Sequence, residues 1–506
     1  MPITRPAPHP ASGRADETFG PSSVRWREHP REPKEVRLPE APPSPTRTRP
    51  GGWLPLVLAL AITVPGALLG AGELLHAGVP ELAPWLQAVL FGSAVIGAAF
   101  ALAWAAEAAQ LDVSASLAIG VLALIAVLPE YAVGFVFAWK GGNDVERYGA
   151  SCVGPGGGES NCSLVLANMT GANRLLIGVG WALVVLIAWQ RMRSSRRHHR
   201  GTLVATSGGE TRRYGIRLPR SKAVEFSYLA LAAVYCLTLP LKRTITLVDA
   251  VILVAIFVAY TLRISKAPAS EPELMGPSAA IGALSRRARR LTVAALFLFA
   301  AAVILLVAEH FAESLVSTGR ELGVSEFFLV QWVAPIASEA PELLVAGLYA
   351  WQLKTSDALT ALVSSKVNQW TLLVGTLPLV FAISSGSFHG LPIAPAQREE
   401  ILLTAAQTVF ALAILSDLGI SVREALALFV LFAAQFPLRA LIPESAHGIE
   451  LISLSAMYLA FGLILIVRHR RKLALRLRDG FRTPYSVLEP EASEQAEYEP
   501  ARAGTS

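Results

Sequence analysis

Charge is scarce in this chain: only 16% of its 506 residues are Asp, Glu, Lys or Arg, against 53% hydrophobic. Soluble domains usually carry about a quarter charged residues, so the balance leans towards lipid. Cysteine is scarcer, at three, and no CxxC pair or Cys/His cluster offers a zinc or iron–sulfur site. No Gly-rich phosphate loop follows a strand, so there is no sign of an ATP-driven motor. No His-Glu-x-x-His is present; the nearest string, EHFAE at Glu309, has one histidine. No GxSxG is visible either, which argues against an intramembrane enzyme. The net charge is +6, yet no repeat of basic and aromatic residues suggests a nucleic-acid surface.

What the chain has instead is apolar length. A spanning helix needs about 20 apolar residues, and twelve segments qualify: Trp53–Gly72, Ala83–Ala106, Ser114–Trp139, Leu164–Trp189, Ala223–Pro240, Thr244–Leu262, Leu291–Ala312, Glu326–Trp351, Asp357–Ile383, Glu400–Ser416, Val422–Ile442 and Ile449–Val467. Basic clusters RMRSSRRHHR, RRARR and RHRRK lie in loop 190–222, in loop 263–290 and at the start of the C-terminal tail. With both termini cytoplasmic, all three fall on the cytoplasmic side. The fold class predicted is therefore all-α and polytopic, in a plasma (inner) membrane. Residues 1–50, rich in Pro, Arg, Glu and Ser, read as a disordered cytoplasmic tail, and 469–506 as a second, solvated one.

One internal repeat stands out. LPEYAVGFVFAWK, from Leu128, and APELLVAGLYAWQ, from Ala340, align without gaps at an offset of 212 residues. Pro129 matches Pro341, Glu130 matches Glu342, and Trp139 matches Trp351. Five predicted spans separate the two glutamates, an odd number, so the repeats are inverted. Inverted repeats place a shared site near the bilayer midplane, where broken helices expose carbonyls to cations. Proline lacks an amide hydrogen and frees a carbonyl one turn back, and a glutamate beside it supplies charge.

These Pro-Glu pairs, with the partner segment LANMTGAN from Leu166, resemble the membrane region of the sodium/calcium exchanger family, within the calcium/cation antiporter superfamily. That family pairs Gly-Thr-Ser-x-Pro-Glu with a helix reading Gly-Asn-x-x-Gly-Ser-Asn, twice. The resemblance spans about residues 83–442. It implies two inverted five-helix repeats, 83–262 and 291–442, joined by a basic cytoplasmic linker at 263–290. One extra helix is added at each end, in segments 51–82 and 443–468. The match is uneven. Ser338 takes the family's Thr place, but Glu339 takes its Ser place, and Ala126 and Val127 are apolar where hydroxyls are expected. Asn168, Gly171 and Asn173 fit the first partner helix; in the second, LVSSKVNQWT from Leu362, Asn368 stands near the Ser position and Lys366 has no counterpart. The carboxamide or carboxylate that the family carries a turn further on falls at Leu176 and about Leu372.

Candidate roles follow. Glu130 and Glu342 are the central cation ligands, and the metal-binding pair if the cation is Ca2+. An intramembrane acid is expensive and functional by default. Pro129 and Pro341 break their helices. Glu339, one turn before Glu342, shares its face and is a third ligand, a proton-exchanging group or a partner of Lys366. Ser338, Asn168, Asn173 and Asn368 add neutral oxygens of the kind hard cations take. Lys366 and Arg174 read as built-in cations that lower the charge of the site, or as snorkelling side chains. Gln331, Gln407 and Gln435 read as interhelical hydrogen-bonders, and Glu309-His310 as an outer-interface pair or a proton relay.

The function these readings give is a secondary-active antiporter, exchanging Ca2+ or Na+ against Na+ or H+ by alternating access. A Na+/H+ antiporter that has lost calcium binding is the alternative; a channel or an intramembrane enzyme fits less well. The cations are cargo and no cofactor is implied. The partners are the lipid bilayer and small inorganic cations, without nucleic acid, and no oligomeric state is predicted. Finally, the loop after the third span carries Cys152 and Cys162 around a Gly-rich stretch. Outside the cytoplasm it can oxidise, which predicts a Cys152–Cys162 disulfide capping the outer mouth, with Cys236 reduced.

Overall fold

Hydropathy this high forces the backbone to satisfy its own hydrogen bonds, and helices do so within one segment. The computed structural model describes residues 52–76, 82–112, 128–149, 152, 160–198, 215–268, 274–443 and 446–489. Its main helices are α1 (Leu54–Leu74), α2 (Pro84–Ala109), α3 (Leu128–Tyr148), α4 (Asn161–Leu175) and α5 (Ala182–His198), then α6 (Ala223–Cys236) and α7 (Leu247–Ile264). After a short connection come α8 (Arg286–Leu322), α9 (Glu326–Trp351), α10 (Thr355–Asn368), α11 (Val374–Ser385), α12 (Pro395–Leu415), α13 (Val422–Leu441) and α14 (His447–Phe481). A π-helical segment, Leu176–Trp181, joins α4 to α5, and a second, Gln369–Leu373, joins α10 to α11.

Among the described residues, eight helices are long and apolar enough to cross a membrane, against twelve predicted. They match the first, second, fourth to seventh, ninth and twelfth predicted spans. The other four fall on α3, α9, α12 and α13, which carry Glu130, Glu339 with Glu342, Glu400 and Arg439. The buried carboxylates Glu130, Glu339 and Glu400 thus sit on helices outside those eight, while the buried cations Arg174 and Lys366 sit within them. The third predicted span lies partly outside the described residues, as do Ala126 and Val127, the N-terminal tail, and residues 490–506.

Two boundaries need correction. Helix α8 runs to Leu322, ten residues past the predicted Ala312. The predicted solvated tail begins instead as a continuation of α14, kinked at His469 and docked by its own contacts. Arg220 clasps Asp479 with two hydrogen bonds, 2.7 and 2.8 Å, and Arg263 donates to the Gly480 carbonyl at 3.0 Å.

Four short strands tie the loops. β1 (Gly215–Arg217) pairs antiparallel with β4 (Gly419–Ser421), and β2 (Thr244–Ile245) with β3 (Leu391–Pro392). β1 precedes α6 and β2 follows it; β3 precedes α12 and β4 follows it. The two ladders therefore lie at opposite ends of α6 and α12. Both helices that leave β2 and β4 start on a capping box, in which the cap hydroxyl and a first-turn carboxylate satisfy each other's backbone amides. Thr246 and Asp249 form one, Ser421 and Glu424 the other.

That likeness exposes a second repeat. From Ile216 to Phe257 and from Leu391 to Phe432 the chain aligns without gaps at an offset of 175. Glu225 matches Glu400, Ile245 matches Ile420, Asp249 matches Glu424, and Leu253 matches Leu428.

Candidate cation-binding site

The site is built where α3, α4, α9 and α10 meet. Proline 341 lies inside α9, so the helix continues past it with one backbone donor missing. Proline 129 is the second described residue of α3, and the residues before Leu128, where a break would show, lie outside the described residues. At Pro341, the other predicted break, the helix is unbroken. Irregular backbone lies in the two π segments, Leu176–Trp181 further along from Asn168 and Gln369–Leu373 directly after Asn368. Single π turns inside α-helices recur at functional sites.

Glu130 and Glu339 are 4% and 2% exposed, and Glu342 is half-buried. Their three carboxylates are near enough to interact with one another. Each has a neutral partner or none. Gln369 Nε2 donates to Glu339 Oε1 at 2.7 Å, and Ser365 Oγ donates to Glu342 Oε2 at 2.7 Å. Glu130 Oε1 and Glu339 Oε2 are buried with no hydrogen-bond partner. Among the described residues no compact group of three metal-ligating acids, histidines or cysteines is present.

Lys366 is fully buried on α10. Its ammonium donates to the Asn173 carbonyl and, at 2.6 Å, to Asn173 Oδ1, and it lies 5.4 Å from the centre of the Trp370 ring. No ion pair to Lys366 is found among the described residues. Glu339 is thus held by Gln369 rather than by the lysine. Asn173 gives its oxygens to Lys366 and its Nδ2 to the Met169 carbonyl, 2.9 Å away, so the predicted neutral ligand is already engaged. Asn168 is buried on the same helix. Asn368 Oδ1 accepts from the Tyr131 hydroxyl at 3.4 Å. Ser338 donates weakly into its own helix, to the Ala334 and Pro335 carbonyls.

Arg174 requires correction. Its guanidinium pairs with Glu400 at 2.6 Å, both side chains under 5% exposed, and donates to Gln435 Oε1 at 3.0 Å. It stacks over Trp332 at 4.9 Å. The charge predicted to tune the glutamate site is spent on a different carboxylate. Gln331 joins this network, donating to Glu400 at 3.1 Å and to Thr170 at 3.2 Å. Gln407 does not behave as predicted: neither amide atom has a partner. Glu309 and Glu313 both pair with Lys140, at 3.2 and 2.5 Å, while His310 meets Glu73 at 2.6 Å.

Close crossing of α4 and α9 depends on Gly171. A methyl group there would fall 1.7 Å from the Gln331 carbonyl oxygen, so only glycine permits this approach. Cys152 and Cys162 are joined by a disulfide with Cα atoms 6.1 Å apart, and Cys236 is free and buried.

Sequence reasoning missed Gln369 and Glu400. The carboxamide expected near Leu372 comes instead from Gln369, about one turn earlier. Glu400 carried a signal in its match to Glu225 at the 175-residue offset.

A family model described as "Sodium/calcium exchanger protein" matches residues 83–266 and 292–436. The chain belongs to that family. A crystal structure of the H+/Ca2+ exchanger CAX is 38% identical, covering 85% of this chain and 98% of that one, with a TM-score of 0.73. The structure of native YfkE shares the fold at 14% identity and a TM-score of 0.51, covering 74% of this chain and 97% of that one. No curated protein matches the chain. As a family member it is an integral membrane cation exchanger of the calcium/cation type, a transporter and not an enzyme.

Proposed function

We propose that this exchanger moves Ca2+ in one direction and H+ in the other around Glu130, Glu339 and Glu342. The observation that carries the reading is the cluster itself: three interacting carboxylates, two buried and one half-buried, whose other partners are an amide and a hydroxyl, with two carboxylate oxygens unpartnered. Several kcal/mol are needed to bury each ionised group unpaired. A divalent cation or a set of protons completes such a cluster, and alternation between the two is exchange. The likeness to the H+/Ca2+ exchanger CAX supports the same pair of ions. Asn168, Ser338 and Asn368 supply neutral oxygen.

The architecture that goes with this function has twelve spans, with inverted repeats at 83–262 and 291–442 and both termini on the cytoplasmic side of the inner membrane. Supporting it, each strand ladder joins loops assigned to the same side: β1 with β4 inside, β2 with β3 outside. The ion pairs agree. Asp112 meets Arg286, Arg289 and Arg290 across inner loops, and Lys140 meets Glu309 and Glu313 at outer helix ends.

A second reading, Na+/H+ exchange, is favoured by one observation. The Lys366 ammonium occupies the Asn173 oxygens that a hard cation would use, and it removes one unit of negative charge from the site. Flux into proteoliposomes, with calcium, sodium and proton gradients imposed separately, decides between the two. Calcium uptake driven by a proton gradient without sodium supports the first; sodium uptake with no calcium uptake would replace it with the second.

A further inference from the structure

Away from the three carboxylates, a cavity of about 320 Å³ opens where α9 and α14 begin and α13 ends. Its polar lining does not balance internally. Glu400 takes Arg174 and Gln331, and Arg174 gives one amino group to Gln435. Left over are two donors, Arg174 Nε and Gln435 Nε2, and one acceptor, Glu450 Oε2, all without partners. The three side chains are 2%, 8% and 7% exposed and all line the cavity. Arg439 adds a cation at the rim, 39% exposed and 3.7 Å from Glu400. An orphaned buried polar group costs about 1–3 kcal/mol, so the cavity is shaped for an occupant that offers acceptors and a donor together.

The walls narrow the choice. Phe328, 36% exposed, packs edge-on against Phe436, which in turn packs on Trp332. Arg439 stands in the last turn of α13 and Glu450 in the first turn of α14. Helix ends bordered by aromatic rings are where lipid head groups meet a membrane protein. A metal cation would face Arg174 and Arg439; a purely anionic head would leave Glu450 unmatched. We propose that this cavity binds the zwitterionic phosphoethanolamine head of a membrane lipid, its phosphate against Arg439, Arg174 Nε and Gln435, and its primary ammonium on Glu450. The acyl chains run over the aromatic wall. The site does not depend on which ions are exchanged.

The test is native mass spectrometry of the detergent-purified full chain, titrated separately with dioleoyl phosphatidylethanolamine, phosphatidylcholine and phosphatidylglycerol. A quaternary choline has no N–H to give Glu450, so the ethanolamine lipid should be retained about tenfold better than the choline lipid, the worth of one charge-assisted hydrogen bond. Glu450→Gln and Gln435→Leu should each reduce that retention by a similar factor, in protein that remains monodisperse. Equal retention of the ethanolamine and choline lipids overturns the proposal, as does indifference to both substitutions or the absence of any bound lipid. Soluble glycerophosphoethanolamine distinguishes the sources: displacement of the lipid only at large excess supports a lipid site, and binding as tight as the lipid's would reassign it to a free head group.

Discussion

Two clusters of buried charge lie in this bundle and resolve differently. Glu400 has opposite charges beside it: Arg174 at 2.6 Å and Arg439 at 3.7 Å. Around Glu130, Glu339 and Glu342 the partners are Gln369 and Ser365, and Lys366, the nearby cation among the described residues, donates to Asn173 instead. The Glu400–Arg174 pair is balanced in charge and serves to hold helices together, the leftover hydrogen-bonding atoms around it facing the cavity where α9 begins. In the proposed function, a cluster of acids answered by amides and hydroxyls is completed by a cargo. On that proposal the contrast separates the exchanging part of the protein from its frame.

The largest effect should come from the open cluster. Glu130→Gln or Glu342→Gln should abolish exchange in proteoliposomes at matched protein levels while thermal unfolding in detergent barely changes; retained exchange in either variant would undo the assignment. The closed cluster should respond in the opposite way. Arg174→Leu or Glu400→Leu leaves a buried charge alone, at a cost of about 3–5 kcal/mol, visible as a large drop in melting temperature. The double variant Arg174→Met with Glu400→Leu should recover much of that loss, because an apolar replacement of a buried pair is often neutral. If single and double variants unfold alike, the pair is not the structural tie described.

A smaller effect is expected from Lys366→Ala. Removing the built-in ammonium frees both Asn173 oxygens and raises the negative charge of the site, so calcium binding should strengthen relative to sodium. Isothermal titration with each ion measures it, and an unchanged preference in folded protein would count against the lysine as a tuning charge. The smallest lies outside the membrane. Arg289, hydrogen-bonded to Asp112, holds that carboxyl at about 2, below the usual range near 4. Its contribution to stability is therefore full above about pH 4 and is lost as pH falls towards about 2. The difference in melting temperature between wild type and Asp112→Asn should be modest at neutral pH and vanish near the lower limit.

Much of this was legible in the sequence because it is local. Apolar runs, basic loops and the Pro-Glu repeat all lie within short windows, and the family resemblance followed from them. The hydrogen bonds of the buried cations were not. Arg174 and Gln435 are 261 positions apart, and Lys366 and Asn173 are 193 apart; nothing in either window says which way a long side chain turns. Arg174 looked like a tuning charge because it lies beside Asn173 in the chain, yet a helix sends adjacent residues about 100° apart. The 175-residue repeat was readable but quiet. Its matches are a cap, a carboxylate and a few apolar positions, dispersed enough to pass as ordinary membrane helix until the same capping box was seen after each of two strands.

The strand ladders carry a mechanical consequence. Each is only two or three residues long, but each fastens a loop of the first half of the chain to a loop of the second. One fastening lies at either end of α6 and α12. Two bodies hinged at two separate points keep a single freedom, rotation about the line through the hinges. If the two halves moved as rigid bodies with both ladders intact, the movement would be a swing about an axis running the length of those two helices, and translation of the halves along that axis would be closed.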